Sequence, residues 1–122
     1  MTSQIHSVLE TPIFHRMYDL YKLIHGFHSK IPKLQRYTLW EKCENTTLAL
    51  LDALIETSHR KNEERIEALY NISNKLDLLK VLFRLAKDTR AIDNTQYLEI
   101  QKIVQEIGRM VGGWIKSVPH RI

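Results

Sequence analysis

Apolar residues recur along this chain at alternating spacings of three and four, and no segment alternates polar and apolar as a half-buried strand would. The longest such run, 97–118, places Tyr97, Ile100, Val104, Ile107, Val111, Ile115 and Val118 on one helical face. A strict heptad, Leu69, Ile72, Leu76, Leu79, Phe83 and Ala86, marks a helix before it. Leu39, Trp40, Cys43, Thr47, Leu50, Leu51, Leu54 and Ser58 give the inner face of an earlier one. A first helix, ending near His28, carries Phe14, Met17, Tyr18, Tyr21, His25 and His28 in one broad stripe. Four amphipathic helices with short connections predict an all-α fold, an antiparallel up-down-up-down four-helix bundle. The expected organisation is a loose arm over 1–11, the bundle over 12–118 and a short tail over 119–122.

The punctuation fits these boundaries. Thr11 and Pro12 suit a cap and first turn, and Thr38 with Glu41 reads as a capping box, as does Asp93 with Gln96. Pro32 breaks the basic connection 29–37, and Pro119 stops the last helix. Gly108, Gly112 and Gly113 stand inside that helix, where each costs about 1 kcal/mol relative to alanine. Gly108 and Gly112, four apart, form a smooth edge on which a neighbouring helix is expected to pack closely.

Composition narrows the function. The 122 residues suffice for one domain with a real core. No apolar run approaches the length of a membrane span, and the start lacks a basic flank leading into an apolar segment, so a cytoplasmic protein is expected. Cys43, the only cysteine, occupies a core position and reads as an inert buried thiol. His25 and His28, with Cys43 or His15, have the residue types of a metal site, but no second ligand pair follows. Packing and end-capping are the favoured roles for both histidines. The carboxylates do not converge into an acid/base pair, and no glycine-rich phosphate loop follows a strand, so neither enzyme, cofactor nor metal is expected.

A net charge of +4 leans towards anionic partners. Lys80, Arg84 and Lys87 form a basic strip on the third helix, and Lys102, Arg109 and Lys116, seven apart, form another on the fourth. For either strip alone an ordinary solvated face is an equal alternative, and two on successive helices tilt the balance towards binding. Beside the first strip, Leu78, Leu82 and Leu85 widen the apolar arc to roughly 180°, more than a surface helix needs, and imply a second partner surface.

The segments Tyr18-Asp19-Leu20-Tyr21-Lys22, Ile31-Pro32-Lys33, Arg36-Tyr37-Thr38-Leu39 and Phe83-Arg84-Leu85-Ala86 are joined by a more specific one. This is Glu106-Ile107-Gly108-Arg109-Met110-Val111-Gly112-Gly113-Trp114-Ile115. Over nearly all of residues 12–118 the chain resembles the four-helix-bundle family that includes the Avd accessory proteins of diversity-generating retroelements and the proteins encoded in intervening sequences of 23S ribosomal RNA genes. The resemblance implies a homopentamer of up-down bundles. It also implies a non-catalytic partner that binds a reverse transcriptase and RNA or DNA and supports mutagenic cDNA synthesis and retrohoming. Lys80 and Arg84 match the family's paired basic positions, with lysine replacing one arginine and so losing a bidentate fork. Arg109 matches the arginine of the glycine motif. The chain ends in His120-Arg121-Ile122 rather than a long basic tail. The alternative is a structural or interaction protein of the ribosomal-RNA intervening-sequence kind with no reverse transcriptase partner.

Overall fold

The computed structural model describes residues 7–119, which are helical with no strand among them. Four long helices, α1 (Pro12–Gly26), α2 (Leu39–Ser58), α3 (Asn62–Asp88) and α4 (Asn94–Ser117), account for most of these residues. Between α1 and α2 lie a 3-10 turn, His28–Lys30, and a single helical turn, Lys33–Arg36. Helix α1 packs on α2 and α4, α2 on α3, and α3 on α4, so the pairings close a ring around one core.

Each helix buries the stripe that lets it reach its neighbours. All six heptad positions of α3, from Leu69 to Ala86, are buried, and α4 contributes Ile100, Val104, Ile107 and Val111. In α2 the buried set is Trp40, Cys43, Glu44, Thr46, Thr47, Leu50, Leu54 and Thr57, with Leu39 and Leu51 partly covered. Thr47 and Thr57 donate their hydroxyls to the carbonyls of Cys43 and Ala53, one turn back, so neither is buried unsatisfied. The Trp40 indole is fully buried, packs edge-on against Phe83 at 6.0 Å between ring centroids, and donates its Nε1–H to the Ile24 carbonyl at 3.0 Å. It thereby ties the end of α1, the start of α2 and the last turns of α3 together.

Three expectations need correction here. Helix α1 carries two apolar stripes, and it buries the aliphatic one, Ile13, Met17, Leu20 and Ile24. Of the aromatic stripe only Met17 is in the core, and Tyr18, Tyr21, His25 and His28 lie along the flank. Leu82 is 8% exposed and belongs to the core, so it does not extend the apolar arc outward; Leu78, Val81 and Leu85 do. Thr38 does not cap α2, because its hydroxyl turns back to the Leu34 and Gln35 carbonyls of the preceding turn. The expected arm over 1–11 lies partly outside the described residues, but Val8 within it is buried in the core.

The other helix ends follow the sequence signals. Thr11 accepts from the Phe14 amide at 3.3 Å, and Asp93 and Gln96 exchange hydrogen bonds of 2.7 and 2.8 Å as a full capping box. Helix α3 ends in a Schellman motif: the Ala91 amide reaches the Ala86 carbonyl at 2.8 Å and the Arg90 amide reaches Lys87 at 3.0 Å. Arg90 takes the left-handed position, φ 65°, that glycine favours. Arg90→Gly should raise the unfolding free energy by about 0.5–1 kcal/mol by removing that strain, read as a higher denaturant midpoint at unchanged slope.

Candidate nucleic-acid and partner interface

One cation of each basic strip reaches the seam between α3 and α4. Lys80 from α3 and Arg109 from α4 line an open groove of about 360 Å³ whose walls also include Leu76, Asp77, Gly108, Val111, Gly112 and Ile115. Lys80 and Gln105 continue into a smaller hollow of about 200 Å³ over Phe83, Tyr97, Ile100 and Val104. The seam is therefore an apolar floor whose polar rim carries two cations, Lys80 and Arg109, beside Asp77 and the neutral Ser73, Gln101 and Gln105.

The cations differ in how free they are. Lys80 lies 3.6 Å from Asp77, and Arg84 lies 3.2 Å from Asp88, both exposed pairs one helical turn long. Such pairs hold a side chain weakly and yield to a stronger anion. Lys87 sits 4.9 Å above the Tyr97 ring, a cation–π contact across the seam. Lys102, Arg109 and Lys116 are exposed and form no ion pair among the described residues. Along the outer side of α3, exposed Leu78, Val81 and Leu85 repeat at three and four and form an uncovered apolar line. Val81 was not singled out by the sequence, because its place beside the line follows only from which face α3 buries.

The glycines have a different role from close packing within the chain. A Cβ built on Gly108, Gly112 or Gly113 meets no atom within 4 Å, so no neighbouring helix rests on that edge. Gly108 and Gly112 keep the groove open instead. Gly112→Ala should accordingly stabilise the isolated fold by about 1 kcal/mol through helix propensity, measured in a urea melt. A loss of stability would mean that the edge is closely covered.

At the far end of α1 the structure assembles a cluster that sequence spacing did not reveal. Glu44, on α2, is only 8% exposed. Its carboxylate accepts from His25 Nδ1 at 2.9 Å and from His28 Nδ1 at 2.6 Å. Tyr21 stacks on His25 at 5.6 Å with ring planes 11° apart, and His25 lies 5.9 Å from His28. Burial pushes the Glu44 carboxyl up, but the hydrogen bonds from the two histidines and their charge outweigh it and hold the group below the ordinary glutamate range. Burial and the adjacent carboxylate push the Tyr21 hydroxyl up. Cys43, buried beside Glu44, has its thiol pushed up to about 12 by burial and then by that charge, which leaves it unreactive. Neither Cys43 nor His15 joins the two histidines, and among the described residues no three His, Cys, Asp or Glu side chains are placed to hold a metal ion.

Because its folded pKa is depressed, Glu44 contributes stability that is present above its unfolded value and disappears as pH falls through the folded one. Glu44→Ala should be markedly less stable than the parent at neutral pH, and the gap should narrow as pH falls below about 4. Thermal melts of both proteins across that range check this. A gap independent of pH would remove the charge from the explanation.

No helix among the described residues is long and apolar enough to cross a membrane. No curated protein matches the chain. The bAvd-like family, however, matches residues 12–118, the span that holds all four long helices, the α3/α4 groove and both basic strips, and the chain belongs to that family.

Proposed function

We propose that this protein is the non-catalytic accessory subunit of a diversity-generating retroelement. In that role it binds nucleic acid and the element's reverse transcriptase and supports mutagenic cDNA synthesis and retrohoming. The observation that carries this reading is the α3/α4 seam of a chain matched to the bAvd-like family, where Lys80 and Arg109 edge an apolar groove kept open by glycine. Phosphate oxygens suit the cations, and apolar side chains of a protein partner suit the floor. The exposed cations include no ordered set of base-reading side chains in a groove-binding element, so contact is with the backbone and is sequence-tolerant and salt-sensitive.

The four helices run up-down-up-down in this reading, supported by the closed ring of pairings and by connections of three residues between α2 and α3 and five between α3 and α4. The uncovered line Leu78, Val81 and Leu85 supports assembly through a heterologous interface that closes into a pentamer. A ring presents each basic strip once per subunit, so weak contacts add. The protein works in the cytoplasm, beside the polymerase.

Reversing charge at Lys80 and Arg84 together should abolish capture of the reverse transcriptase and flatten the dependence of RNA affinity on salt. Folding free energy should stay within about 1 kcal/mol, since each reversal adds only a weak like-charge pair with Asp77 or Asp88. Val81→Glu with Leu85→Glu should dissociate the assembly in light scattering while the helices remain folded, whereas Leu82→Glu should unfold the chain. Unchanged capture and RNA affinity in the folded charge-reversal variant would overturn the assignment.

A further inference from the structure

The His25–Glu44–His28 cluster sits in a basic part of the chain. Residues 20–45 carry five cations, Lys22, Lys30, Lys33, Arg36 and Lys42, against two carboxylates, Glu41 and Glu44, a net +3 of the chain's +4. The Gln35 amide donates to the Thr89 hydroxyl at 2.7 Å, which brings the α3/α4 turn, with Arg90, to the same end. Arg36 is committed inward to the Ser29 and Ile31 carbonyls, but Lys30, Lys33, Lys42 and Arg90 are exposed.

An ionised carboxylate only accepts hydrogen bonds, so Glu44 fixes the proton of each neutral ring on Nδ1. The Nε2 atoms are then the ring positions directed away from the carboxylate, on side chains 60% and 36% exposed. Unprotonated, each Nε2 presents a lone pair, which repels phosphate oxygen; protonated, each becomes a cationic donor to it. The charged and titratable groups facing the rings are Tyr21 from α1 and Glu44 from α2, with the Cys43 thiol beside Glu44. From α4, which also packs on α1, the charged contact is Glu106 with Arg16, nearer the start of α1. Both rings are pre-oriented by one buried group, in contrast to free surface histidines.

We propose that His25 and His28, clamped by Glu44, form a proton-gated contact for the phosphodiester backbone of single-stranded RNA at this end of the molecule, separate from the α3/α4 seam. The inference rests on the nucleic-acid reading above and adds a second, pH-dependent site to it.

Anisotropy titrations of a labelled single-stranded RNA, at several salt concentrations and between about pH 8 and pH 6, test it. Affinity should rise as pH falls, and the slope of log affinity against log salt should steepen by about 1.4, the share of two added cations on a single strand. The double variant H25N/H28N, whose amide nitrogens lie where Nδ1 does and can still donate to Glu44, should match the parent at the high pH and lose most of the gain at the low one. The other four histidines remain in it, so it subtracts their contribution. Should that variant fail to fold, the parent's own imidazole NMR signals serve: RNA must shift those of His25 and His28. A gain that survives in the folded double variant, or signals that RNA does not move, overturns this site and leaves the seam standing. Absence of RNA binding at every pH overturns both, and pH-dependent binding to phosphatidylserine vesicles without RNA binding assigns the cluster to a membrane surface instead.

Discussion

The indole of Trp40 is the contact that joins α1, α2 and α3. Its ring fills the space between α2 and Phe83 of α3, and its N–H meets a carbonyl in the last turn of α1, where helix geometry leaves carbonyls short of partners. A side chain that is apolar over most of its surface and polar at one edge suits a junction of this kind, because it buries a large area without leaving its donor unpaired. With that corner pinned, the twelve-residue connection between α1 and α2 is held at both ends, and Ile31 within it is drawn into the core.

The same corner explains the Glu44 cluster. Trp40 and Glu44 are one turn apart on α2, so docking the indole under Ile24 carries Glu44 to the two histidines that follow Ile24. A buried carboxylate alone would be costly. Two hydrogen bonds from His25 and His28 offset its desolvation, and the outcome is a charged group retained beside the core of an otherwise apolar junction.

The seam between α3 and α4 is less tightly filled. Helices α3 and α4 pack together and leave a groove beside Gly108 and Gly112, into which a larger side chain at either glycine would project. The helix bears the propensity cost of two glycines without gaining packing inside the chain.

Much of the architecture was legible in the sequence because helical periodicity is a local property. The heptad of α3, the face of α4, the Asp93 capping box and the stop at Pro119 all follow from residues within one or two turns of each other. The chain also identified its cations, since charge is a property of the residue and not of its surroundings. Tertiary structure alone decided which of two apolar stripes α1 buries, that Leu82 faces inward while Val81 faces out, and that the glycine edge lines a groove. It alone brought Glu44 to His25 and His28, 19 and 16 residues away. Each of these depends on where a second helix lies, and a helix with apolar residues over half its circumference does not specify by itself which part of that arc its neighbours will cover.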